Sequence, residues 1–280
     1  MDSGSSYGSQ SINLSFHGCQ TWRTDNDLFT IITEMLRAGD FIPLAKQTVP
    51  VGERKRAHPV VHDMRTWFRK KYYFSEVWDA QTFDIFKPKE KFVASFRTTL
   101  DPKWRTSDPL YGVVETLFHA YFYGTAYNCI TLHILLDIPR PSNQYTGMLQ
   151  WTEPTFQLFR QVMRAMLPGV QPVYACLADM EPEAPWGHEV LRGDLTGIYW
   201  CNYYSYSSPY IKQYGDTLFL TAPGWQVEPF ADGVWYQPTE HYTELKAEYQ
   251  RAQICNHFKG IGVQDITGMA PLGTWWGPSD

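Results

Sequence analysis

The chain is 280 residues long, 44% hydrophobic and 19% charged, which excludes a disordered polymer and allows a core to be buried without disulfide or metal staples. Its formal net charge of −5 is unevenly placed. Residues 53–71 hold seven basic side chains (Arg54, Lys55, Arg56, Arg65, Arg69, Lys70, Lys71) against Glu53 and Asp63, a net of +5, so the rest carries −10. One segment would attract a phosphate backbone, whereas most of the surface would attract a basic protein.

Residues 1–11 read as a polar, flexible tail without a basic-then-apolar leader pattern. Ile12–Phe16 alternates as a strand does, and Thr24–Ala38 has helical spacing in Leu28, Ile31, Ile32, Met35 and Leu36, closed by Gly39. A Pro-marked connection leads to a helix over Pro59–Lys71, with Val60, Met64, Trp67 and Phe68 on one face and cations on the other. Thr82–Phe86 and Phe92–Arg97 flank a charged loop and read as a hairpin. Val113, Leu117, Ala120 and Tyr121 predict a helix over Asp108–Tyr123. Cys129–Asp137 predicts a central strand, Pro154–Leu167 a helix and Pro172–Asp179 another strand. An acidic loop then runs to Asp194, ahead of an aromatic strand, Gly197-Ile-Tyr-Trp-Cys-Asn-Tyr-Tyr-Ser205. Ser208 followed by Pro209 predicts a capped short helix to Gly215. Thr217–Ala222 reads as a strand, Gln226–Phe230 and Val234–Gln237 as strands around Asp232-Gly233, and Thr239–Phe258 as a closing helix. The expected fold is α+β, a largely antiparallel sheet with helices packed on it, in one unit or two similar halves. The domain spans 12–263, divisible into 12–140 and 141–263, and 264–280 forms a C-terminal extension.

Reactive groups are sparse. Cys19, Cys129, Cys176, Cys201 and Cys255 are odd in number, scattered and without a CxxC pair, which points to reduced, buried thiols in a cytoplasmic protein. No apolar run approaches the roughly 20 residues of a membrane span. His58 and His62 are spaced as helix-borne metal ligands, yet Pro59 falls inside the motif, neighbouring cations repel a dication and no third ligand stands near, so no metal is expected. Basic residues interleave with Trp67, Phe68, Tyr72 and Tyr73 over 54–71, but on opposite helix faces; a solvated face is the better account than nucleic-acid binding. His119 and His133 sit in apolar elements and read as hydrogen-bonded core or edge residues. A Cys-His-Asn hydrolase can be drawn from Cys201 and Asn202 with His188 or His241, but nothing local lowers the thiol pKa. No Walker loop, GxGxxG, GxSxG or HExxH occurs. No catalytic residue and no cofactor is therefore expected.

The acidic stretch is the better candidate. Asp179, Glu181, Glu183, Glu189 and Asp194 surround Trp186, joined by prolines, so an aromatic anchor stands among carboxylates. Aromatics make up 16% of the chain, a richness that suits either a large-side-chain core or an interface. The segment from Gly197 through Pro209-Tyr-Ile-Lys-Gln-Tyr-Gly215, an apolar strand, Asp232-Gly233-Val and a terminal helix resembles the immunity protein 52 family and related type VI secretion immunity proteins, over about 195–263. The resemblance implies a cytoplasmic antitoxin-like protein that binds and occludes a cognate protein toxin, without catalysis. Two other readings remain: a hydrolase-like enzyme, or a nucleic-acid-associated protein using 54–71.

Overall fold

A computed structural model describes residues 10–23, 25–39, 42–44, 72–73, 91–99, 115–123, 127–136, 145–179 and 187–263. The described strands are β1 (Gln10–His17), β2 (Ile42–Leu44), β3 (Tyr72–Tyr73), β4 (Lys91–Thr99), β5 (Glu115–Tyr123), β6 (Tyr127–Leu136), β7 (Tyr174–Asp179), β8 (Cys201–Ser205), β9 (Gln226–Phe230) and β10 (Gly233–Gln237). They form one ten-stranded sheet in the order β2-β4-β5-β6-β1-β7-β8-β10-β9, with β3 on β4 and every pairing antiparallel. The helices are α1 (Asp25–Ala38), α2 (Tyr145–Val170), α3 (Gly187–Arg192), α4 (Pro209–Tyr214), α5 (Asp216–Leu220) and α6 (Glu248–Gly260), with a 3₁₀ turn at Tyr242–Lys246. The architecture is α+β.

Strand alternation divides the side chains between two faces. Ile12, Leu14 and Phe16 of β1, Ala175 and Leu177 of β7, Tyr203 of β8 and Trp235 of β10 share one face with the apolar stripes of α1 and α2. Tyr174, Cys176, Tyr204, Val234 and Tyr236 share the other with Val190, Tyr210, Phe219, Ile254 and Phe258 from α3 to α6. The β7–β8–β10 region is thus covered by helices on both sides. Its second layer is aromatic: Tyr204 stacks on Phe219 at 4.1 Å and lies 5.2 Å from Tyr174 and 5.4 Å from Tyr210. Ser208 caps α4 as its sequence requires, its Oγ accepting from the Ile211 N–H at 3.2 Å.

Several elements differ from the sequence reading. Residues 115–123 form a strand rather than part of a helix. Thr116, Phe118, Phe122 and Tyr123 suit a pleated surface, and the segment pairs with β4 on one side and β6 on the other. Residues 216–220 form a helix instead of a strand: Gly215, at φ 79°, turns the chain directly from α4 into α5, burying the consecutive Leu218 and Phe219. The closing helix is broken where Ala247 adopts φ −62°, ψ 123°, separating the 3₁₀ turn from α6. The aromatic strand begins only at Cys201, since 197–200 carry no ladder hydrogen bonds. Residues 24, 53–71 and 82–86, with them His58, His62 and the basic segment, lie outside the described residues.

Candidate partner-binding site

The acidic stretch is only partly a loop. Glu181, Glu183 and Trp186 lie outside the described residues, and Asp179 ends β7, where it pairs with Ile12. Glu189 and Asp194 belong to a built element: α3 places Glu189 half-buried, and the chain reverses behind it at Gly193. The Asp194 N–H donates to the Glu189 carbonyl at 3.0 Å and the Gly193 N–H to the Val190 carbonyl at 3.2 Å, the pair of bonds that closes a helix on a left-handed glycine. Gly193 has φ 75°, and a Cβ there would stand 2.9 Å from the Pro209 carbonyl carbon. Glycine therefore lets the end of α3 sit directly on the start of α4.

That contact places both Glu189 and Asp194 within electrostatic reach of Tyr210 on α4. Tyr210 is buried, and its phenol is pushed well above its ordinary range, first by burial, then by the Cys176 thiol and the Glu189 and Asp194 carboxylates. Asp194 also pairs with Arg192 at 2.7 Å; both side chains are about half exposed, so the pair steers geometry more than it adds stability.

Asn202 is fully buried and uses its whole carboxamide: Oδ1 accepts from the Tyr199 N–H (3.1 Å) and the Tyr174 hydroxyl (3.3 Å), while Nδ2 donates to the carbonyls of Tyr199 (2.7 Å) and Tyr236 (3.3 Å). It ties the irregular 197–200 segment to β7 and β10. Cys201 faces the α1–α2 core, and burial raises its thiol pKa, so the sulfur is protonated at neutral pH. His241, its imagined partner, is exposed and lies 3.1 Å from Glu153 Oε1. Burial raises Cys19 and Cys176 likewise. Among the described residues no group of three or more His, Cys, Asp and Glu is placed to hold a metal ion, and no helix is long and apolar enough to cross a membrane.

Two groupings escaped the sequence reading. The first lies on β1, whose second face is polar: Asn13, Ser15 and His17 are 1%, 3% and 4% exposed. They stand in register with Ala178, Cys176 and Tyr174 on β7 and with His133, Thr131 and Cys129 on β6. Next to Thr131 on β5 stands His119. Burial alone lowers the His17 pKa to about 3, so its ring is neutral at pH 7. The available signal was the period of two in Asn13-Leu-Ser-Phe-His17, which puts a polar residue at every second position.

The second is a pocket of about 240 Å³ at the end of the sheet, assembled from Gln20, the turn after α2 (Gln171), β8 (Tyr203, Ser205) and the β9–β10 turn (Ala231, Asp232). Burial and the nearby Asp232 carboxylate push the Tyr203 phenol up to about 12. Nothing local announces this pocket, because its residues come from four separated stretches; only Asp232-Gly233 was legible, as a turn.

No protein-family model matches the sequence, and no curated protein matches it. Among solved structures the chain is similar to the Pseudomonas aeruginosa T6SS protein PA0821, with a TM-score of 0.46 and 14% identity, over 92% of this chain and 78% of that one. At that score and identity the likeness carries no functional argument, and the immunity-family resemblance rests on the residues of 195–263.

Proposed function

We propose that this chain is a non-enzymatic binding protein of the immunity type, which captures a basic surface of a cognate protein toxin and occludes it. The observation that carries the reading is the seating of Glu189 and Asp194. A glycine-closed helix end, packed on α4, fixes the backbone that carries both acidic residues before any partner arrives. Such preorganisation lowers the ordering cost of association. The flanking Glu181, Glu183 and Trp186 extend the same acidic run along the chain. The Cys201 thiol, protonated at pH 7, and the His17 imidazole, neutral at pH 7, are consistent with a protein that works by surface complementarity.

The test begins with affinity capture from the native host, followed by binding kinetics with the captured protein across an ionic-strength series. Glu189→Lys and Asp194→Lys should slow association and flatten its salt dependence, and Trp186→Ala should weaken binding by at least about 2 kcal/mol. Folded variants that bind with unchanged rates would remove this surface from the interface.

A further inference from the structure

The pocket beside the β9–β10 turn has a one-sided chemistry. Leu167, Pro168 and Pro172 give it an apolar wall, and Asp232 is the one charged residue that lines it among the described residues. The Asp232 carboxylate has no ion-pair partner among the described residues, whereas Glu228 on the neighbouring strand is held by Arg164 at 2.8 Å. Gln20 donates its Nε2 to Ser207 Oγ at 3.2 Å, which leaves its Oε1 as an acceptor, and Ser205 adds a hydroxyl oxygen. At about 240 Å³ the pocket falls below the roughly 300 Å³ where sites for drug-sized ligands begin, a size for one side chain rather than a cofactor.

We propose that this pocket receives a lysine or arginine side chain of a protein partner, its methylene stem against Leu167, Pro168 and Pro172 and its cationic head on Asp232, Gln20 and Ser205. An apolar wall ending in a carboxylate that no described residue pairs is complementary to such a snorkelling side chain, apolar along its stem and charged at its tip. Tyr206, next in the chain to the lining Ser205, is 39% exposed, and its N–H donates to the Asp232 carbonyl at 3.0 Å, tying the chain after β8 to the turn that carries Asp232. The backbone points the same way. Gln171 and Ala231 are the non-glycine residues with positive φ among those described, at 48° and 50°, and both line this pocket. A left-handed backbone is strained for a residue with a Cβ, and strain of this kind clusters where a site needs a particular shape.

The proposal rests on the reading of the chain as a protein-binding module, but its test needs no partner. The full ¹⁵N-labelled chain is titrated with Nα-acetyl-arginine methylamide, Nα-acetyl-lysine methylamide and the neutral Nα-acetyl-glutamine methylamide, following amide shifts by NMR. A cationic probe should give saturable shifts at Gln171, Ser205 and Asp232, with a dissociation constant in the millimolar range. Asp232→Asn should weaken that binding about three- to fivefold, and the glutamine probe should bind at least as weakly to the wild type as the cationic probe binds to the variant. Absence of saturable shifts, equal shifts with glutamine, or wild-type affinity in Asp232→Asn overturns the assignment. Such a failure leaves the α3 interface standing, because that surface is tested through Glu189, Asp194 and Trp186.

Discussion

Asn202 is the residue whose replacement should report most directly on how the aromatic half of the sheet is held together. Its four hydrogen bonds join Tyr199, Tyr174 and Tyr236, and all four are buried away from water. In Asn202→Ala these partners lose their bonds inside the fold. At about 0.5–1.5 kcal/mol per lost bond, and more where a group is left unsatisfied, destabilisation of about 3 kcal/mol or greater is expected. Asn202→Asp is the sharper perturbation, since it keeps the shape. A carboxylate still accepts from the Tyr199 N–H and the Tyr174 hydroxyl, but it faces the Tyr199 and Tyr236 carbonyls with no proton to offer. Burial and those carbonyls should raise the new carboxyl's folded-state pKa above its unfolded value near 3.9. The folded state then binds the proton more tightly, so stability is retained below about pH 3.9 and is lost by about 1.4 kcal/mol per pH unit as pH rises toward the folded-state pKa. Urea unfolding of both variants beside the wild type, at intervals from pH 4.5 to 7, separates the two effects. An Asn202→Ala loss below about 1 kcal/mol, or an Asn202→Asp deficit that stays flat across this range, would refute the reasoning.

His17 should make stability depend on pH in the opposite direction. Its folded value of about 3 lies below the ordinary 6.5, so the stability contributed by the neutral ring is complete above pH 6.5 and falls by up to about 1.4 kcal/mol per pH unit as pH drops toward 3. The slope between pH 6.5 and 5 should lessen in His17→Phe, as read by urea unfolding. Trp200 is 1% exposed and packs edge-on to Phe156 at 5.5 Å, while its indole N–H has no hydrogen-bond partner among the described residues. Trp200→Ala should therefore cost about 3–5 kcal/mol, and Trp200→Phe, which removes the orphaned donor, less than about 1.5 kcal/mol, measured by chemical denaturation. Ala231→Gly should stabilise by about 0.5–1 kcal/mol, the relief of a left-handed conformation less the extra freedom glycine has when unfolded; an unchanged or lowered melting temperature would contradict the φ of 50°.

Elements with one clear physical cause were legible in the sequence. The spacing of Leu28, Ile31, Ile32, Met35 and Leu36 gives α1, and all five are buried as that spacing demands. Ser208-Pro209 specifies the start of α4 by chemistry local to two residues. The misread elements are those where two periods fit the same letters. Leu117 and Tyr121 satisfy a four-residue spacing, yet they are also alternate positions of a strand, and pairing on both edges decides the matter. In α5, five residues are too short for either period to speak, and the turn at Gly215 sets the direction. The acidic stretch was recognisable from composition, but the helix within it was not, because six residues bounded by proline and glycine resemble a loop. Non-local assembly hid the pocket altogether.

Both acidic features border the same short segment. Gly193, beside Asp194, approaches Pro209, and the Asp232 carbonyl accepts from the Tyr206 N–H. Ser207, between them, hydrogen-bonds Ser205 at 2.9 Å and receives Gln20. The chain from Ser205 to Pro209 therefore carries the pocket at one end and the base of the acidic helix at the other. A basic partner engaging both would feel two charge sites without a shared hydrogen bond between their carboxylates, and energies at independent sites add. Asp194→Lys and Asp232→Asn should then each reduce affinity for the captured partner, with the double variant showing the product of the two fold-changes. If one substitution leaves affinity untouched while the other lowers it, the two surfaces do not meet one partner. A double variant no weaker than the poorer single variant would instead mean that one site's engagement depends on the other, and the rigid seating of α3 on α4 would be the element to probe next.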